Sequence, residues 1–173
     1  EAITAIQDLK TISTNALYEE MPVALANGNY NKVIENYNRL VQENVDFRDL
    51  QKMQLMTAKA CFGQGNNTDG MELLAACASD VRTEAGSEAK YMIAQKLYDG
   101  GDFDKSLEVA TEFIQNGTSY QYWLARTIIL MSDISLKNGD DFTAKEYLKS
   151  LQSNYEGNDD IKSLITSRLS NLK

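Results

Sequence analysis

Histidine is absent from this 173-residue chain. That removes a Ser-His or Cys-His nucleophile pair, histidine-ligated zinc, and any side chain whose ordinary pKa lies near neutrality. Cysteine is scarce, and Cys61 and Cys77 alone are too few for a disulfide scaffold or a structural zinc site. Proline occurs once, at Pro22, a scarcity that suits a helical chain. Positive charge is outnumbered, with 17 Lys and Arg against 25 Asp and Glu and a net charge of −8. Nucleic acid is therefore not an expected partner, because phosphate backbones demand a basic surface. Long apolar runs are missing as well: 73–78 and 128–131 are far too short to cross a bilayer. With 43% hydrophobic and 24% charged residues, the rest is an ordinary globular composition.

The N-terminus has neither a methionine nor the basic, apolar and small-residue pattern of a signal peptide. A start at Glu1 is expected of a processed chain or of a fragment of a longer protein, and compartment is left open.

Repetition is the main signal present. Glycine-centred breaks recur as Asn27-Gly28-Asn29-Tyr30, Gly65-Asn66-Asn67, Gly101-Asp102-Phe103 and Gly139-Asp140-Asp141-Phe142, their lead glycines separated by 37, 36 and 38 residues. A fixed period of this size is what stacked helix pairs produce. Each glycine is suited to the left-handed conformation that ends a helix, and the Asn or Asp after it to capping the next. Columns around the glycines agree with that reading. Leu25, Phe62, Tyr98 and Leu136 stand three before; Met21, Ala58, Ala94 and Ser132 stand seven before. Val33, Gly70, Ser106 and Ala144 stand five after, and Leu40, Cys77, Phe113 and Leu151 twelve after. Mostly small residues at −7 and +5 are what two antiparallel helices need where they approach most closely.

These columns resemble tetratricopeptide repeats, whose helix-turn-helix unit has a small residue in helix A, a Gly-Asp/Asn-aromatic turn and a small residue early in helix B. The third repeat matches best, from Ala89 and Ala94 through Gly101-Asp102-Phe103 to Ser106 and Phe113. In the fourth the aromatic, Phe142, arrives one residue late; in the second, Asn67 stands at the aromatic position and Gly70 lies within helix B. The family's proline at the end of helix B is missing, and the spacing exceeds its usual period of about 34 residues. The segment Tyr122 to Asp133 followed by Gly139 to Lys145 is also similar to the last repeats of long bacterial cell-envelope tetratricopeptide proteins. That resemblance implies a scaffold, with the periplasm or cell envelope as its context, although a cytoplasmic protein fits the residues too.

The expected architecture is all-α: a single domain over 1–173, a right-handed superhelical stack of about four antiparallel helix pairs with a C-terminal capping helix. The repeats fall at about 2–44, 47–80, 87–116 and 119–154. Their helices are placed at 2–26, 30–44, 47–63, 68–80, 87–99, 103–116, 119–138 and 142–154, with Pro22 kinking or restarting the first. The capping helix, about 159–172, carries Ile161, Leu164, Ile165, Leu169 and Leu172 on one stripe. Its other face holds Lys162, Ser163, Thr166, Ser167, Arg168, Ser170 and Asn171, and Asp159 and Asp160 stand at its start, where negative charge is favoured. No polar cap opens the chain. Ile3, Ile6, Leu9 and Ile12 instead form an apolar stripe, suited to an upstream repeat or to self-association into a homo-oligomer.

No catalytic, cofactor-binding or metal-ligating set is expected. Cys61 and Cys77 come out about 10 Å apart along antiparallel helices at 1.5 Å per residue, beyond disulfide reach, so two buried free thiols are expected. Asp99 to Asp104 fails the calcium-loop pattern, because Phe103 falls on a ligand position. Asp140-Asp141 and Asp159-Asp160 read as caps, since adjacent carboxylates at a helix start point apart rather than across a cleft. Gly63-Gln64-Gly65 lacks the lysine and strand of a phosphate loop. Asn66-Asn67-Thr68 and Asn116-Gly117-Thr118 fit the glycosylation pattern, but both lie at helix ends. Tyr120, Tyr122 and Trp123 read either as packing between the third and fourth repeats or as an interface anchor.

In tetratricopeptide proteins the ligand-reading positions lie on helix A. The matching residues here are Asn15, Tyr18, Lys52, Lys59, Glu88, Tyr91, Gln95, Arg126 and Asp133. Lys52, Lys59 and Arg126 would line that face with positive charge suited to a peptide carboxylate; a solvated helix face is the other reading. The expected function is a non-enzymatic scaffold for a protein or peptide partner. Opposed to it stand a structural segment that stacks through its N-terminal stripe and, last, a hydrolase with paired carboxylates.

Overall fold

The computed structural model describes residues 2–43 and 49–172. Among these residues there are nine helices and no strand: α1 (Ala2–Ala26), α2 (Tyr30–Gln42), α3 (Leu50–Gly63), α4 (Asn67–Cys77), α5 (Glu84–Asp99), α6 (Phe103–Asn116), α7 (Gln121–Lys137), α8 (Asp141–Asn154) and α9 (Ile161–Asn171). The expected helix limits at 44 and 47 lie outside the described residues. Elsewhere most limits agree with expectation to within about two residues. The exceptions are α4, which ends at Cys77 rather than 80, and α5, which starts at Glu84 rather than 87. That earlier start follows from Thr83, whose hydroxyl accepts the Gly86 N–H at 3.0 Å and caps the helix.

The four glycine breaks share one geometry, with φ of 71° at Gly28, 79° at Gly65, 83° at Gly101 and 76° at Gly139. At each, the glycine N–H donates to the carbonyl three residues back, and the following residue's N–H to the carbonyl five back, at 2.8–3.1 Å. This pair of bonds is the Schellman motif. The residue after the glycine then starts the next helix: Asn29, Asn66, Asp102 and Asp140 each accept a backbone N–H three residues on. One Gly-Asx dipeptide thus ends one helix and begins another, which makes each turn short and the helix pair antiparallel.

The chain divides into two compact units, Glu1–Cys77 and Ala78–Lys173. In the first, α1 pairs with α2 and α3 with α4, and α3 also packs on α1 and α2. Leu17, Met21, Ala24, Val33, Leu40, Met53 and Ala60 form its core. Gln51 at the start of α3 and Cys77 at the end of α4 clasp each other: Gln51 Nε2 donates to the Cys77 carbonyl at 2.6 Å, and Cys77 Sγ donates to the Gln51 carbonyl at 3.2 Å. Both cysteines are free and buried, and burial pushes the Cys61 thiol pKa up.

In the second unit α5 pairs with α6 and α7 with α8; α7 packs on α5 and α6, and α9 on α7 and α8. One cluster gathers Tyr91, Ala94, Ala110, Phe113, Leu130, Met131 and Ile134, and another Ala125, Ile129, Leu148, Leu151, Ile161 and Ile165. Helix α7 has neighbours on both sides, which is why Ala125, Thr127, Ile129, Leu130, Met131, Ser132 and Ile134 are all buried.

The repeat columns hold in space. Every residue at −7, +5 and +12 is buried, and those at −3 are half-buried. Where the small columns meet, Ser106 Oγ donates to the Ala94 carbonyl at 2.7 Å and Ser132 Oγ to the Ala144 carbonyl at 3.1 Å. The same two positions thus meet in both pairs of the second unit, with the hydroxyl on opposite helices. In the second repeat Gly70 makes room for the Phe62 ring, since a methyl group there would lie 2.6 Å from it and the ring would have to shift. The late aromatic of the fourth repeat has the consequence that helical geometry dictates. Tyr30 and Phe103 are half-buried, whereas Phe142, one residue and some 100° further round the helix, is 76% exposed.

Two sequence expectations need correcting. Pro22 does not restart α1, which runs through it; the residue is exposed, on the face where solvent can replace a lost helical hydrogen bond. Arg168 does not belong to the solvated face of α9. It follows Leu164 by four and Ile165 by three, which puts it on the inner face.

Candidate functional site

The candidate helix-A residues fall in both units. In the first, Asn15 is exposed on α1 and Tyr18, one turn on, is half-buried. The Tyr18 phenol pKa is raised, by burial first and then by Asp49. Lys52 and Lys59 lie two turns apart on α3, and Lys52 Nζ stands 3.2 Å from Asp49 Oδ1. Lys52 therefore carries a carboxylate partner, and it remains 61% exposed.

In the second unit α5 presents Glu88, Tyr91 and Gln95 at i, i+3 and i+7, and α7 presents Arg126, Leu130 and Asp133 at i, i+4 and i+7. Each set lies along one helix face. Tyr91, Gln95, Arg126 and Asp133 line one small cavity of about 50 Å³ with Ile129, Leu130, Leu164 and Arg168. Glu88, half-buried, is not among its lining residues.

A chain of hydrogen bonds runs through these groups. Arg126 Nη2 donates to the Tyr91 hydroxyl at 3.0 Å, that hydroxyl donates to Gln95 Oε1 at 3.0 Å, and Gln95 Nε2 donates to Asp99 Oδ1 at 2.8 Å. The Arg126 guanidinium carbon lies 5.3 Å from the Tyr91 ring centroid. Its Nη1 reaches Asp160 Oδ2 at 3.3 Å, with the Asp160 side chain 51% exposed. Burial works against the Arg126 charge, but Tyr91, Tyr122 and Asp160 outweigh it and its pKa is raised.

Arg168 donates from Nε and Nη2 to the two oxygens of Asp133, both at 2.7 Å. This bidentate fork is the strong geometry for a guanidinium and a carboxylate, and it raises the Arg168 pKa. Trp123 closes one flank, 5.6 Å from Tyr91 and edge-on to Tyr122 at 4.9 Å. Tyr122 and Trp123 are half-buried in the two clusters of this unit, so they pack inside the fold.

The structure thus brings together four of the nine candidates, Tyr91, Gln95, Arg126 and Asp133. It adds Arg168 and Asp160, which helix-A pattern alone misses because α9 and the turn before it supply them. The only sequence signal for Arg168 is its spacing from the apolar stripe of α9. Chemically the patch offers a guanidinium next to an exposed carboxylate, a phenol and an amide, a set that can both donate and accept hydrogen bonds.

Of the two acidic pairs, Asp140 and Asp159 accept backbone N–H groups at the starts of α8 and α9, whereas Asp160 makes no cap bond and faces Arg126 instead. Asp102 accepts the Lys105 N–H and pairs with Lys105 Nζ at 2.8 Å, and Asp159 Oδ1 accepts the Ile161 N–H at 3.0 Å. Tyr155, which donates to Asp159, has its phenol pKa pushed up to about 12, by burial and then by that carboxylate. Asn66 of the first glycosylation pattern is held by Asp69, its Nδ2 donating to Oδ2 at 2.7 Å.

No protein-family model matches the chain, and no curated protein or solved structure matches it either.

Proposed function

We propose that this chain is a non-enzymatic, tetratricopeptide-like helical-repeat scaffold that binds an extended segment of another protein along its helix-A face. The observation that supports this reading is the convergence of Tyr91, Gln95, Arg126 and Asp133 on one surface cavity. Side chains from separate repeats there present donors and acceptors in a row. An extended peptide needs such a row, because its backbone and carboxylates must be matched over a length rather than at a point. Arg126 is the charged anchor, since its 3.3 Å contact to an exposed Asp160 is the one a ligand carboxylate would replace at least cost. Function is carried by the site and not by the fold, so the test is made at the site.

The experiment is binding of the chain to an immobilised library of extended peptides with free C-termini, repeated with Arg126→Gln and with Lys52→Glu plus Lys59→Glu. A peptide set enriched in carboxylates, bound at least tenfold more weakly by Arg126→Gln at unchanged melting temperature, is the expected result. Should the parent chain bind no peptide above background, or bind equally well after all three changes, the reading fails.

A further inference from the structure

Helix α1 is 25 residues long and its partner α2 only 13, so α1 runs on for about 18 Å past the pair at 1.5 Å per residue. Every residue from 2 to 13 is exposed. The first buried side chain of the helix is Thr14, and near the end of α2 Lys10 Nζ lies 3.5 Å from the Glu43 carbonyl. A solvated helical stretch of twelve residues is marginal in water even for sequences rich in good helix formers. This one is not such a sequence, because Ile3, Thr4, Ile6, Thr11 and Ile12 are β-branched. Its helical conformation calls for a packing partner. Its surface calls for one too, with Ile3 at 74%, Ile6 at 66%, Leu9 at 67% and Ile12 at 66% exposed.

We propose that α1 pairs with α1 of a second copy of this chain, antiparallel and across a two-fold axis near Leu9. Three observations select a second copy. First, part of the exposed apolar face is symmetric about Leu9: Ile6 and Ile12 lie three to either side and Ala2 and Ala16 seven, while Ile3 is mirrored by the polar Asn15 at the edge of the contact. An isologous two-fold contact requires this, because residue i meets j while j meets i. The alanines at the two ends let the backbones approach closely. Second, charge is depleted there. In a chain of net charge −8, residues 2–18 carry only Asp8 and Lys10, so two acidic molecules can meet on this segment without like-charge repulsion, and charge depletion marks interface cores. Third, the area suffices. The four large side chains expose on the order of 500 Å² per copy before alanines and polar flanks are counted, which brings two copies to the lower end of the roughly 1,200–2,000 Å² of stable interfaces.

Light scattering on the whole chain across about 1–200 µM tests the proposal. It is run on the parent, on Ile6→Gln plus Leu9→Gln, and on Val41→Gln as a control at another exposed apolar site, 47% exposed. Glutamine keeps helix propensity while removing the apolar surface. A dimer is expected for the parent and the control, with dissociation at least tenfold easier for the double variant and the cooperative thermal transition retained. A parent chain monomeric throughout this range overturns the proposal, including the case in which some other polypeptide covers α1. So does a dimer that the double change leaves intact.

Discussion

Replacing Ala94 by leucine tests whether the repeat register describes the packing. Ala94 is fully buried, and its carbonyl receives the Ser106 hydroxyl at 2.7 Å, so α5 and α6 are held against each other at this point. Leucine adds three carbons; with room to spare, each would contribute about 0.8 kcal/mol of burial. There is no such room where a serine on the opposing helix already reaches the backbone. The larger side chain must leave its rotamer or push the helices apart, at a net cost of about 1–3 kcal/mol. For a chain of this size each kcal/mol lowers the melting temperature by about 2–4 °C. The assay is thermal unfolding followed by circular dichroism, with urea unfolding as a check. Ala144→Leu occupies the matching contact with Ser132 and should behave alike, whereas Gln115→Leu, at an exposed position, should leave the midpoint nearly unmoved. An Ala94→Leu protein that melts at or above the parent temperature would refute the close approach and the register with it.

Two further outcomes follow from the turns and their caps. Gly101 has φ +83° with open space around a would-be Cβ, so Gly101→Ala should cost about 1–2 kcal/mol from left-handed strain alone. Gly100, at φ −80°, should accept alanine with no loss, and equal urea midpoints for the two variants would contradict this assignment. Carboxyl titration by NMR should find Asp80 held down at about 2 by its Arg82 hydrogen bonds, with Asp102 and Asp140 also below the ordinary range through Lys105 and Thr143. Because these folded-state values are depressed, the stability they contribute is present above the unfolded aspartate pKa of about 3.9 and is lost as pH falls through the folded values. The melting temperature should therefore fall as the pH drops from about 4 towards 2. An Asp80 that titrates in the usual aspartate range, unaltered by Arg82→Ala, would rule out this account.

What the amino-acid order determined unaided is everything local or periodic. A left-handed glycine followed by Asn or Asp specifies both a helix end and a helix start within two residues, so four turns at a near-constant spacing mark eight of the nine helices. Periodicity then names the buried columns, since residues such as Ala94 and Ser106 recur at fixed offsets from their turn. Even the exposure of Phe142 follows from a displacement of one residue along a helix. Tertiary structure decided what depends on meetings between distant segments. Arg168 finds Asp133 from 35 residues away, and Arg126 finds Asp160 from 34, because α9 docks on α7. Neither arginine carries a mark of its partner in its own sequence neighbourhood, since these ion pairs form only where packing brings the two helices together. The basic lining expected from Lys52 and Arg126 becomes two carboxylate pairs of different origin: Lys52 meets Asp49 three residues back, a local pairing, whereas Arg126 meets Asp160 only through the docking of α9. The length of α1 beyond α2 is the remaining case: the apolar stripe was written in the sequence, but only the packed helices decided that, among the described residues, it stays exposed.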